Sequence, residues 1–247
     1  MSTENAKTTG ATSMNGSGTL DRLEPAKSAV LLLTTMNEIE GLKSIWDRIP
    51  AELFRRILVI DADSKDGTRE FLAQKSCEVL QQSKPGRGNA IREAMTQVSE
   101  DIIVIMASDG NDDPTYIRPL LDKLDEGYDL VFGSRFADGG ETDDSDDPLR
   151  IRRFGNRLFT WIVNVAWNAH YTDSTYGMRA LTRETWEKLK IDSTWNETEF
   201  VMSIRCAKLR LKVCQIPIVE GKRAGGKVKA GSLSTGWSFL KVLLREI

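Results

Sequence analysis

The chain is predicted to be a single α/β domain with a mostly parallel central sheet flanked by helices. Short β-rich runs alternate with segments of helical period from Ser28 onward. Most of those runs are continuously apolar, the pattern of strands buried on both faces, and 247 residues are enough to build one core without staples. Strands are expected at SAVLLLT (28–34), RRILVID (55–61), CEVLQQ (77–82), DIIVIMA (101–107) and DLVFGS (129–134). Helices are expected between them, because Ile39, Leu42, Ile45, Trp46 and Ile49 recur three to four apart, as do Ile91, Ala94, Met95 and Val98, and Ile117, Leu120, Leu121 and Leu124. Repeated strand, helix, strand implies right-handed crossovers.

After Arg135 the cadence breaks at FADGGETDDSDDP. Its six carboxylates (Asp138, Glu141, Asp143, Asp144, Asp146, Asp147) read as a solvated, self-repelling loop. An aromatic and apolar helix follows at Phe154–Trp167, then helices near Arg183–Leu189 and from about Thr198 to Leu209. The chain closes with a strand, KVCQIPI (212–218), a basic glycine-rich loop, GKRAGGKVKAG, and an amphipathic helix. Residues 1–25, rich in Ser, Thr, Gly and Asn, read as a flexible tail and 26–247 as the folded unit.

Composition narrows the function. Lys and Arg number 34 against 36 Asp and Glu, a net charge of −2, which excludes the dominant positive field a general nucleic-acid binder needs. No apolar stretch approaches the roughly 20 residues that span a bilayer. Three cysteines, an odd count without metal-ligand spacing, point to a reducing, cytosolic compartment.

In an open parallel sheet, ligands bind beyond the carboxyl ends of the strands. Polar, Gly-rich sequence follows all five strands of the first half: TTMNEIEG, DADSKDGT, SKPGRGNA, SDGNDDP and GSRF. Asp61 and Asp66 either cap the helix beginning near Thr68 or face a ligand; Asp66 reads as the cap and Asp61 as the ligand. Gly86 and Gly88 flank Arg87 before a helix, so backbone amides and a guanidinium can face a phosphate, although G-R-G alone is a turn signal. Asp109, Asn111, Asp112 and Asp113 offer hard oxygen ligands of the kind Mg²⁺ or Mn²⁺ takes; the competing reading is a turn before Pro114. Arg135, Arg179, Arg223, Lys227 and Lys229 supply cations for a diphosphate, or are ordinary surface charge.

Together with TDSTYGMRAL, WNETEF and IPIVEGKRAGGKVK, these segments resemble the GT-A-fold (Rossmann-like), family 2 glycosyltransferases, and within them the polyprenyl- (dolichyl-) phosphate sugar synthases. The resemblance covers about Ala29 to Leu244. TTMNEIEG is similar to the family's P-x-Y-N-E, VIDADSKDGT to V-D-D-G-S-T-D-G-T, PGRGNAIREAM to G-K-G-x-A, VFGSRF to the G-S-R segment and TDSTYGMRAL to D-x-x-S-G-F-R-A. IMASDGNDDP occupies the D-x-D metal segment with one departure: Ala107 stands at the first Asp, Asp109 at the second.

The resemblance implies an inverting, metal-assisted transfer of a hexose from a nucleoside diphosphate sugar (GDP-mannose or UDP-glucose type) to a polyprenyl phosphate. It implies a nucleotide-sugar-binding half at 26–135 and an acceptor-binding half at 136–247. The donor set is Thr35, Asn37, Glu38, Asp61, Asp63, Arg87, Gly88, Ser108, Asp109, Arg223 and Lys229. Asp109 and Asn111 are the metal ligands, and Asp109, Arg135, Asp173, Arg179 and Glu199 the catalytic set.

Two other readings stand beside this one: the same donor with a hydroxyl acceptor, or, given Ala107, a degenerate sugar-nucleotide-binding subunit. A hydroxyl acceptor needs a base, for which Asp173, Glu197 and Glu199 are candidates. A phosphate, already anionic at neutral pH, does not. A lipid acceptor implies a peripheral protein at the cytoplasmic face of a membrane. The helix Phe154–Trp167, with Arg150, Arg152, Arg153 and Arg157, has the character of an interfacial helix, and equally suits packing on the sheet or a second copy in a homo-oligomer.

Overall fold

The computed structural model describes residues 28–143, 150–225 and 231–247, with the side chains of 232 and 233 excepted. The tail, Lys227, Lys229, Asp144, Asp146 and Asp147 lie outside the described residues. The first half alternates as the apolar periods require: β1 (Ala29–Thr35), α1 (Ile39–Ile45), β2 (Arg56–Asp61), α2 (Thr68–Leu72), β3 (Glu78–Gln81), α3 (Arg87–Met95), β4 (Ile102–Ala107), α4 (Ile117–Asp125) and β5 (Leu130–Ser134). The second half adds α5 (Ile151–Trp167), β6 (Arg179–Thr182), α6 (Arg183–Leu189), α7 (Thr198–Lys208), β7 (Val213–Pro217) and α8 (Ser232–Glu246).

One seven-stranded sheet runs in the order β3-β2-β1-β4-β6-β5-β7. Every pairing is parallel except those of β6, which lies antiparallel between β4 and β5. The sequence reading missed β6. Its four residues are too short for a period, and they begin with an arginine that conceals the apolar run. Because β6 is reversed against both neighbours, β5 points the same way as β4, and the carboxyl ends of β1, β2, β4 and β5 share one rim.

Alternate strand residues feed two cores. Val30, Leu32, Leu58, Ile60, Ile103 and Ile105 face α3, α5, α7 and α8, whereas Leu31, Leu33, Val59, Val104 and Met106 face α1, α2 and α4. Central strands sandwiched this way lose both faces to packing, which is why they read as unbroken apolar runs.

Candidate functional site

The chain runs from β1 outward to β2 and β3, then returns to place β4 on the other side of β1. Loops diverge at that reversal and leave a crevice above it. A cleft of about 1000 Å³ opens there, lined by Thr34 and Thr35 of β1, Ala107, Ser108 and Asp109 after β4, and Arg87 at the start of α3. The loop at Ala62 and Asp63, the segment from Gln82 to Gly86, and Trp195 to Glu197 extend its walls. Ser234, Thr235 and Ser238 of α8 close it.

The β4 end is tied down from three sides. Ser108 Oγ donates to the Thr34 carbonyl oxygen at 2.9 Å, and Asp112 Oδ2 accepts the Ala107 N–H at 2.9 Å while its other oxygen accepts from the Tyr176 hydroxyl. Burial, followed by the nearby Asp109, pushes the Asp112 carboxyl above the ordinary range. Gly41 of α1 is the third constraint: a Cβ there would stand 2.2 Å from the Ser108 carbonyl oxygen and 2.7 Å from Asp109 Cα. The sequence carried this signal as a lone glycine inside a helical period. Gly41→Ala is expected to cost about 1–3 kcal/mol by overpacking and to shift Asp109; a thermal melt with a donor titration checks both, and no change in either would show that α1 can retreat.

Asp109 Oδ1 accepts the Asn111 N–H at 3.2 Å and Oδ2 receives Arg223 Nη2 at 2.6 Å. The other arm of Arg223 reaches Glu38 Oε1 at 3.1 Å, so one guanidinium bridges two carboxylates across the cleft. Its loop is pinned by Gly221 N–H to the Asn111 carbonyl and Ala224 N–H to the Asp109 carbonyl. Arg87 gives Nε to Thr34 Oγ1 at 3.2 Å and pairs through Nη1 with Glu199, leaving Nη2 buried with no hydrogen-bond partner. Burial lowers the Arg87 pKa, partly offset by Asp112 and Asp109. An unpaired buried donor beside an anion-sized cleft is a group that a ligand phosphate satisfies.

Of the residues singled out from sequence, Thr35, Glu38, Asp63, Arg87, Ser108, Asp109 and Arg223 line this cleft together. Others do not, for identifiable reasons. Asp61 is buried at the end of β2, where its carboxylate accepts both the N–H and the hydroxyl of Ser64 and so braces the turn beneath Asp63. Asn37, at positive φ, accepts from Lys65 N–H and holds the same turn. Asp66 caps, as expected, accepting from Thr68 N–H, and also from Ile39 N–H at the start of α1. Asn111 gives its N–H to Asp109 Oδ1, and its own Oδ1 is buried without a hydrogen-bond partner.

The expectation that Gly88 presents an amide to phosphate is corrected. Its N–H donates to the Trp195 carbonyl and that of Asn89 to the Thr194 carbonyl, so this helix start is already capped by the 194–195 segment. Glycine is required there because a Cβ would meet Ser193 O at 2.6 Å.

Three charged residues expected to be catalytic are not among the residues that line the cleft. Arg179 is wholly buried in β6, its guanidinium on the carbonyls of Tyr176 and Glu199 and over the Phe132 ring, away from the cleft; burial pulls its pKa down. Arg135 and Asp173 form a buried bidentate pair, Nε to Oδ2 at 2.8 Å and Nη2 to Oδ1 at 3.2 Å, with Glu220 at 3.4 Å from Nη1. Burial alone would raise the Asp173 carboxyl, yet the Arg135 charge holds it below the ordinary range. Glu220 was not anticipated, and no spacing in the sequence marks it. The polar triplet Ser234, Thr235 and Ser238 in the first turns of the amphipathic α8 was a readable sign of the cleft wall.

Comparison with known proteins agrees with this architecture. The model of the family described as Glycosyl transferase family 2 matches residues 31–190. "Glycosyltransferase AglJ" of Haloferax volcanii is 34% identical over 207 residues, 82% of this chain and 66% of that protein's length. "Dolichyl-phosphate hexose transferase" of the same organism is 30% identical over 223 residues, 87% of this chain and 94% of the relative. Among solved structures, glucosyl-3-phosphoglycerate synthase from Mycobacterium tuberculosis in complex with Mn²⁺, UDP and phosphoglyceric acid superposes with a TM-score of 0.72 at 22% identity, over 92% of this chain and 81% of that one.

Proposed function

The chain belongs to glycosyl transferase family 2, and from that premise we propose that its cleft transfers a hexose from a nucleoside diphosphate sugar to the phosphate of a polyprenyl lipid, with inversion, by direct displacement. The observation that carries this reading is the meeting of Asp109 with two guanidinium groups, Arg87 and Arg223, at the crevice between β1 and β4. A departing nucleoside diphosphate develops charge that must be met by groups already in place. In this reading the nucleoside lies toward Ala62, Asp63 and the Gln82–Gly86 wall, and the diphosphate lies between Arg87 and Arg223. Residues 26–135 supply most of the donor seat. Residues from 136 onward contribute Trp195, Glu197, Arg223 and α8 on the acceptor side.

The state of the carboxylates supports a phosphate acceptor. Each of the three candidate bases is engaged: Asp173 by Arg135, Glu199 by Arg87, and Glu197 Oε1 by the N–H groups of Thr194 and Trp195. A hydroxyl nucleophile has to lose a proton to such a group. A phosphomonoester, with a second pKa of about 6, is mostly dianionic at neutral pH and needs positioning alone. The relative named as a dolichyl-phosphate hexose transferase points the same way. The three unpaired cysteines suit a protein working at the cytoplasmic face of a membrane.

Mg²⁺ or Mn²⁺ fits the Asp109 side of the cleft, because Asp109 supplies a hard carboxylate oxygen there and Asn111, whose N–H meets Asp109 Oδ1, carries an amide oxygen with no hydrogen-bond partner. Among the described residues no three or more acidic, His or Cys side chains are grouped so as to hold a metal ion, so these residues offer a carboxylate anchor rather than a cage. When bound, the cation neutralises charge on the leaving diphosphate.

The test is incubation of the purified protein with radiolabelled UDP- and GDP-sugars, with and without Mn²⁺, in the presence of polyprenyl phosphate or of soluble acceptors. Label transferred to the lipid, dependent on the divalent ion, is expected. Transfer only to a soluble phosphate or hydroxyl overturns the lipid assignment, and donor binding with no transfer to any acceptor overturns the reading altogether.

A further inference from the structure

We propose that Trp195 is the platform on which the donor's hexosyl group lies, an inference that rests on the glycosyl-transfer reading of the cleft and names the residue that recognises the sugar. Trp195 is the one aromatic side chain among the described residues that line the cleft. It is 56% exposed. A large apolar surface left open to water inside a concave site is surface that a ligand covers.

Two glycines, one on each side of Arg87, let this residue stand beside the guanidinium. A Cβ at Gly86 would collide with the Thr194 carbonyl oxygen and come within 3.2 Å of Trp195 Cδ2, and one at Gly88 would come within 2.7 Å of the Thr194 carbonyl carbon. Gly86 also holds a φ of +105°, a conformation that side-chain-bearing residues rarely adopt. The backbone at Trp195 is fixed from both sides. Its carbonyl accepts the Gly88 N–H at 3.1 Å and the Thr198 hydroxyl at 2.9 Å, and the Thr194 carbonyl accepts the Asn89 N–H at 3.1 Å. Glu197 Oε1 accepts the N–H groups of Thr194 and Trp195. The platform therefore rests on a rigid support next to Arg87, whose Nη2 is buried without a hydrogen-bond partner.

The hexose is joined to the distal phosphate of the donor, so a diphosphate seated on Arg87 delivers the sugar to whatever adjoins that arginine. A pyranose ring presents C–H groups on its faces and hydroxyls around its rim. The faces pack on a flat aromatic surface, and the hydroxyls take polar partners at the edge. The cleft supplies both kinds of contact: Asn196 and Glu197 follow Trp195 in its wall, and α8 adds the hydroxyls of Thr235 and Ser238. The nucleobase, the other flat group of the donor, has apolar contacts of its own in Met36, Ala62 and Pro85. An isoprenoid chain needs a continuous apolar track, whereas the wall beyond Trp195 is an amide and a carboxylate.

Calorimetric titration of the full chain, without acceptor, tests the proposal. A panel of UDP- and GDP-hexoses identifies the donor the wild type binds, and the matching free nucleotide is the control. In Trp195→Ala the Kd of that donor is expected to rise about fivefold to tenfold, with the Kd of free UDP or GDP within about twofold of wild type and Tm unchanged. Trp195→Phe is expected to keep most of the affinity. Saturation transferred from aromatic protons to the hexose C–H protons of the bound donor should appear with the wild type and Trp195→Phe and vanish with Trp195→Ala. Equal weakening of the free nucleotide puts the indole under the base and overturns the proposal. Unchanged donor affinity in Trp195→Ala, or a loss confined to the KM of the lipid acceptor, overturns it as well. Transfer to a soluble acceptor leaves the platform standing and removes the lipid assignment; a wild type that binds no member of the panel removes the glycosyl-transfer reading and the platform with it.

Discussion

Asp109→Ala is expected to lower the rate of transfer by about 10²–10³-fold, the loss typical of removing one group that meets developing charge, while leaving the fold intact. The side chain is partly exposed in the cleft, and its hydrogen bond to Asn111 and ion pair with Arg223 are the contacts it would forfeit. No strand depends on them. The companion variant Arg223→Met separates two roles. Arg223 sits on Asp109 Oδ2 and Glu38 Oε1, so removing it takes a positive charge from beside both carboxylates. Mn²⁺ binding without nucleotide, read by electron paramagnetic resonance, is expected to tighten in Arg223→Met and to vanish in Asp109→Ala. Near-normal turnover in Asp109→Ala would remove this residue from the mechanism.

Asp173→Asn is expected to act on stability instead. The carboxylate is wholly buried and takes two hydrogen bonds from the Arg135 guanidinium and one from its backbone N–H, as well as those of Thr175. Taking the charge away leaves the buried guanidinium with Glu220, whose own carboxyl is raised by burial. Breaking such a pair costs about 3–5 kcal/mol, roughly a 10 °C fall in Tm for a domain of this size. The pH dependence has a definite sign. Asp173 titrates below the ordinary range in the folded protein, so its contribution is full above the unfolded aspartate pKa of about 4 and is lost as pH falls through the lower folded value. The Tm of the wild type should therefore drop on acidification through that window, and the Asp173→Asn profile should be flatter there. Retained stability with abolished transfer at every pH would instead make Asp173 a base and revive a hydroxyl acceptor.

Tyr176 links these two sites. Its ring lies 5.0 Å from the Arg135 guanidinium and its hydroxyl donates to Asp112, which in turn holds the Ala107 N–H. The buried ion pair of the second half thus supports the strand end that carries Asp109, and the two predictions are separable by whether Tm or turnover moves first.

The amino-acid order by itself determined the alternation of β1 to α4, because burial on two faces leaves unbroken apolar runs and burial on one face leaves a 3.6-residue period. It also determined which strand ends carry oxygen and guanidinium groups: Thr35, Asp63, Arg87, Asp109 and Arg223 share the cleft as their positions after apolar runs suggested. Only the tertiary structure decided which charges stay available to a ligand. Arg135, Arg179, Asp173 and Gly88 sit in segments of the same composition, yet partners 20 to 107 residues away satisfy or enclose them: Glu199 for Arg179, Asp173 for Arg135, Trp195 for Gly88. β6 was hidden for the same reason, since a four-residue strand owes its place to β4 and β5 on either side and not to a pattern of its own. Local periodicity records burial, whereas the pairing of a charge depends on which distant group the fold brings within 3 Å of it.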